Sequence, residues 1–99
     1  MTDDDQVYKA LAHPFRRQIL AWLKAPDKAF VRGHIDFDRG VPSNAIQARS
    51  GLSQSTVSAH VTILIEAQLL VSSRMGQWLL LSRNEPAISD FARRISLHL

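Results

Sequence analysis

The sequence predicts a mainly α-helical domain that carries one small β-hairpin. Three observations point there. Apolar residues recur at helical spacing near both ends of the chain, in Phe15, Ile19, Leu20, Trp22 and Leu23 and again in Ile88, Phe91, Ala92 and Ile95. A glycine, Gly51, separates two stretches that each read as a helix opened by serine. Two runs rich in apolar and β-branched residues, Leu70–Met75 and Gln77–Ser82, flank Gly76 as the arms of a hairpin do.

Taken in order, Asp3, Asp4 and Asp5 open a helix that runs to Ala12, because acids in a first turn suit the helix dipole. Val7, Tyr8, Leu11 and Ala12 supply its apolar stripe. His13-Pro14 ends it and starts a second helix that reaches Lys24, since proline favours a first turn and displaces the residue before it from helical geometry. Residues 25–42 hold Pro26, Gly33, Gly40 and Pro42 among charged and apolar residues, and read as a long loop with a short strand around Val31–Phe37. Ser43 caps a short helix ending at Ser50-Gly51, with Ala45 and Ile46 inward. Ser53 caps the next, which runs to about Gln68 and buries Val57, Val61, Leu64 and Ile65. After the hairpin, Asn84 caps a last helix with Pro86 in its first turn and Leu99 extending its stripe. The order ααααββα is that of a winged helix-turn-helix in a single domain over residues 1–99.

Composition narrows the class further. A chain of 99 residues with 45% hydrophobic content suits one globular domain with a modest core. No stretch approaches the roughly 18 apolar residues of a spanning helix. The acidic N-terminus lacks the apolar core of a secretory signal, so a cytoplasmic location is expected. The chain has no cysteine, which removes disulfides and thiolate metal sites. Net charge is +3, from 12 Lys+Arg and 9 Asp+Glu. Between Ser43 and Asn84 stand Arg49, Arg74 and Arg83 against Glu66 alone, so the middle of the chain is nearly free of carboxylates, as a surface approaching phosphates should be.

The stretch Gly51-Leu-Ser-Gln-Ser-Thr-Val-Ser-Ala-His60, followed by Leu64 and Leu69-Leu70, resembles the turn and recognition helix of the ArsR family of winged-helix regulators. Ala10-Leu-Ala-His-Pro-Phe-Arg-Arg-Gln-Ile-Leu20 is similar to the family's second-helix opening. The resemblance covers the chain apart from 25–42. It implies a homodimer, built through the first and last helices, that binds double-stranded operator DNA of twofold symmetry, usually as a repressor of its own or a neighbouring operon. The departures are informative. Where the family's metal sensors often carry Cys-x-Cys, this chain has Pro42-Ser43-Asn44. Asp90 and His98 of the last helix stand too far apart to form the family's other ligand set. Ala59 replaces a usual basic or amide residue, and Ala67-Gln68 replaces Ala-Gly. No cofactor or metal is therefore expected, and the effector is not indicated.

Base edges in the major groove are read by donors and acceptors held on a helix. Gln54 suits a bidentate bond to adenine, Ser55 and Thr56 suit bases or phosphates, and Ser58 shares a helical face with Ser55. Ser53 opens this helix, and His60 reaches towards a phosphate. Arg74 and Gln77 sit at the wing tip, where an arginine meets phosphate or the minor groove. Ser43 and Arg49 flank the shorter helix as phosphate contacts. Arg16 and Arg17 match basic positions of the family, with internal ion pairing as the alternative. Trp22 and Trp78 are expected in the core, and His13 at a helix junction. The run His34-x-Asp36-x-Asp38 reads as a charged, solvated loop; the alternative is a metal site, since alternation places these three ligand-type side chains on one side of a strand. No phosphate loop, catalytic carboxylate pair or His-Glu metal motif is present, so an enzyme is not expected. Two rival functions remain: a winged-helix protein-interaction module without DNA binding, favoured by the uncharged recognition helix, and a metal or ligand sensor using residues 25–42.

Overall fold

The computed structural model describes residues 4–30 and 37–99. Helix α1 (Asp4–Leu11) stops just short of the expected Ala12. Its last carbonyls are taken by the next helix, α2 (Pro14–Lys24). Arg16 donates from Nε to the Ala10 carbonyl at 2.7 Å and from Nη2 to that of Lys9 at 3.0 Å, and Arg17 donates to the Leu11 carbonyl. These cations sit at the negative end of the α1 dipole and satisfy carbonyls that lack a helical partner. Both arginines are thus held by backbone oxygens, Arg16 also by the His60 ring, and neither meets a carboxylate among the described residues, so the ion-pairing alternative is not the one realised. His13 holds the N-cap of α2, its Nδ1 accepting from the Phe15 amide at 3.1 Å, with Pro14 in the first turn. It is a junction residue, as its neighbours in sequence suggested.

The long loop expected over 25–42 is corrected in part. Pro26 opens a one-turn helix, α3 (Pro26–Ala29), Phe37–Arg39 forms a 3₁₀ turn, and Val41–Pro42 forms a short strand, β1. Phe30 and Phe37 are buried, with ring centroids 6.2 Å apart and edge to face, and this burial draws both ends of the stretch onto the domain. Gly40 takes φ 117°, and a Cβ there would stand 3.1 Å from both Leu80 Cβ and the Leu81 carbonyl oxygen, so only glycine suits the corner before β1. Most of the short strand expected around Val31–Phe37, with His34 and Asp36, lies outside the described residues; Phe37 itself begins the 3₁₀ turn.

Helices α4 (Ser43–Ser50) and α5 (Gln54–Glu66) follow, then strands β2 (Leu70–Met75) and β3 (Trp78–Arg83), then α6 (Glu85–His98). The sheet is antiparallel in the order β1-β3-β2, with Val41 opposite Leu81 and Leu70 opposite Arg83. Helix α5 ends two residues before the expected Gln68. There the Leu69 amide donates to Leu64 O and the Gln68 amide to Ile65 O, which is the Schellman closure. Gln68 occupies the left-handed position with φ 63°, where glycine is the usual choice.

One cluster joins all seven longer elements: Val7, Ile19, Ile46, Leu64, Leu70, Leu81 and Phe91 are buried together. Trp22 packs on its edge, 5.9 Å from the Phe30 ring centroid. Trp78 is corrected: it is 37% exposed, because it pairs with Met75 beside the hairpin turn, beyond the reach of the core. Helix α6 docks on α1 through a salt bridge of 2.8 Å between Arg94 and Asp4, and through the edge-to-face contact of Tyr8 and Phe91 at 5.5 Å. That bridge holds the Asp4 carboxyl below its ordinary range and raises Arg94, hydrogen bonding being the main cause in each. Among the described residues no helix is long and apolar enough to cross a membrane.

Candidate nucleic-acid interface

Helix α4 runs straight out of β1, so Pro42, in extended geometry, holds its N-cap. Ser43 is the first helical residue and makes no capping bond, which corrects its expected capping role. The turn follows the expected pattern. Gly51 takes φ 72° and donates its amide to the Gln47 carbonyl at 3.0 Å. Ser50 Oγ donates to the same carbonyl and accepts from the Leu52 amide, closing the corner. Ser53 then caps α5, its Oγ accepting from the Thr56 amide at 3.2 Å and lying 2.9 Å from Thr56 Oγ1.

This geometry sorts the polar residues at the start of α5. Ser53 and Thr56 use their hydroxyls on each other, and Ser55 Oγ lies 3.3 Å from Ser53 Oγ. Gln54 and Ser58 are exposed and make no side-chain hydrogen bond among the described residues, so their donors and acceptors face outward. Val57, Val61 and Leu64 on the opposite face anchor the helix in the core. A shallow groove between α4 and α5 is lined by Ser43, Asn44, Gln47, Gln54 and Ser58 over Val57. Asn44 and Gln47 escaped the sequence reading, although both precede the turn at helical spacing.

The remaining candidates lie elsewhere. Arg49 is exposed, and its Cζ stands 5.5 Å from the centroid of the Trp22 ring. Arg74 is exposed on β2 and makes no ion pair among the described residues. Gly76 and Gln77 form the hairpin turn; Gly76 has φ 61°, and glycine at the first of two turn positions is the type II′ pattern. His60 points away from the groove, into the α1–α2 corner. Its Nδ1 lies 3.1 Å from Arg16 Nη1, and its ring centroid lies 4.4 Å from that of His13 and 5.3 Å from that of Phe15. Burial, His13 and Arg16, in that order, lower its pKa. Among the described residues no three His, Asp or Glu side chains gather as a metal site.

An α4–turn–α5 unit with an outward polar N-terminal turn, followed by an antiparallel hairpin and closed by terminal helices, defines a winged helix-turn-helix DNA-binding protein. Sequence comparison agrees with that class. The chain is 39% identical over 89 residues to the uncharacterized HTH-type transcriptional regulator YbzH of Bacillus subtilis, covering 88% of this chain and 89% of that protein. It is 28% identical over 86 residues to the transcriptional repressor SdpR of the same organism, covering 87% of this chain and 81% of SdpR. Its fold superposes on the crystal structure of an ArsR-family transcriptional regulator with a TM-score of 0.72 at 12% identity, over 95% of this chain and 84% of that one. No family model matches the chain. The chain belongs to the HTH-type transcriptional regulators and has the winged-helix fold of the ArsR family. It is a DNA-binding transcriptional regulator.

Proposed function

We propose that the protein is a homodimeric, cytoplasmic repressor that binds an operator of twofold symmetry, with α5 in the major groove. Gln54, Ser55, Thr56 and Ser58 read base edges, while Ser43, Arg49, Ser53, Arg74 and Gln77 hold phosphates. The observation that carries this reading is the outward presentation of Gln54 and Ser58, unbonded among the described residues, at the start of a core-anchored helix. Repression is supported by the likeness to SdpR, which is named a repressor. His60 enters this scheme through the α1–α2 corner it packs on rather than through a phosphate.

Dimerisation through α1 and α6 is supported by what those helices leave exposed. Tyr8 is 45% exposed, Leu97 75% and Leu99 94%, and Ala92 of the predicted α6 stripe is exposed as well. Large apolar side chains left this exposed on paired terminal helices are candidates for cover by a partner.

Gel-shift assays with the DNA upstream of the protein's own gene and of its neighbours test the reading. Wild type should shift one of these fragments in preference to arbitrary duplex, and Gln54→Ala should lose most of that preference. No shift of any fragment by wild type, at low salt, would favour the interaction-module alternative.

A further inference from the structure

Recognition helix α5 carries no lysine or arginine, so the charge that grips DNA must come from elsewhere. The structure allows the described arginines to be sorted by their partners. Arg16 and Arg17 donate to α1 carbonyls. Arg83 bonds Glu85 and the Leu20 carbonyl, Arg93 pairs with Asp90, and Arg94 pairs with Asp4. Three guanidinium groups meet neither a carboxylate nor a carbonyl among the described residues: Arg39, Arg49 and Arg74. Arg39 stood apart from every motif in the sequence.

Arg39 is exposed at the end of the 3₁₀ turn, and its Nη1 lies 3.8 Å from Met75 Sδ. Met75 is the last residue of β2, next to Arg74 and opposite Trp78, so Arg39 leans on the wing near its tip. Adjacent residues of a strand point to opposite faces. Arg39 therefore marks the hairpin face on which Met75 lies, and Arg74 projects from the other. A hairpin entering a minor groove meets a phosphate wall on each side, and a cation on each face matches that geometry.

We propose that Arg39 is a second wing cation, binding a duplex DNA phosphate on the hairpin face opposite Arg74; this rests on the DNA-binding reading above. The contact is to the backbone, so it operates on any duplex, and the operator is not needed to detect it.

The test is a sodium chloride series read by fluorescence anisotropy on a labelled duplex of arbitrary sequence. Wild type is compared with Arg39→Gln, Arg74→Gln, the double variant, and Arg93→Gln as a control for net charge alone. Arg39→Gln should lower the slope of log K against log salt by about 0.9 per contacting subunit, as Arg74→Gln does. The double variant should show the sum, and Arg93→Gln the wild-type slope. A wild-type slope in Arg39→Gln, beside a reduced one in Arg74→Gln, overturns the proposal and leaves DNA binding standing. Wild type that binds no duplex at any salt overturns the functional reading, and this proposal with it. Should Arg39→Gln fail to fold, Arg39→Lys decides: it keeps the charge and should keep the slope, and a reduced slope overturns the assignment.

Discussion

Arg16 Nη1 stands 3.1 Å from His60 Nδ1, so one side chain of α2 both closes the end of α1 and touches the middle of α5. The angle at which α5 leaves the domain is thereby tied to the α1–α2 corner. The ring of His13, which caps α2, lies against the same imidazole.

This corner makes stability depend on pH in a definite direction. Burial of His60, with His13 and Arg16 beside it, lowers its pKa in the folded state. The unfolded chain therefore binds the proton more tightly, and stability rises with pH through this range. The contribution is fully present above the ordinary histidine value of about 6.5 and is lost as pH falls through the lowered folded value. Urea unfolding at a series of pH values should show wild type weakening on mild acidification. His60→Gln should show a shallower dependence over the same range, and an unchanged one would sink the idea.

Gln54→Ala should cost about 1–3 kcal/mol of discrimination between operator and mutated operator, and leave binding to arbitrary duplex nearly unchanged. Arg49→Gln should do the reverse, weakening both duplexes alike and lowering the salt slope. Equal losses on both duplexes for Gln54→Ala would move that residue from base reading to backbone contact.

Two positions of positive φ should respond in opposite senses to exchange with glycine. Gln68→Gly relieves a side chain from the left-handed closure of α5 and should raise stability by about 0.5–1 kcal/mol. Gly40→Ala forces a Cβ against Leu80 and the Leu81 backbone at positive φ, and should cost about 1–3 kcal/mol. Denaturant midpoints of the two variants check both.

If α1 and α6 form the dimer seam, Leu97→Asp should yield a monomer on size-exclusion chromatography with its helical circular dichroism intact. Tyr8→Ala should weaken the dimer less, since Tyr8 also spends part of its ring on Phe91. A dimer unaffected by Leu97→Asp would place the seam elsewhere.

Much of the architecture was legible in local chemistry. His13-Pro14, Gly51, Ser53 and Asn84 each act within a few residues of themselves, through capping bonds and backbone preference, and each stands in the structure where the sequence put it. The stretch 25–42 was not legible, because β1 exists only by pairing with β3, some forty residues later in the chain. Trp78 misled for a related reason: its size argued for the core, but hairpin register set it beside the turn.

By itself, then, the sequence determined the helix-turn-helix, its capped polar start and the hairpin behind it, because those depend on neighbours in the chain. Only the tertiary structure decided which polar groups are spent. It turned His60 inward, committed Arg16, Arg17 and Arg83 to backbone carbonyls, left Gln54 and Ser58 outward, and brought Arg39 to the wing. Those outcomes depend on contacts between residues distant in sequence, and no local propensity encodes them.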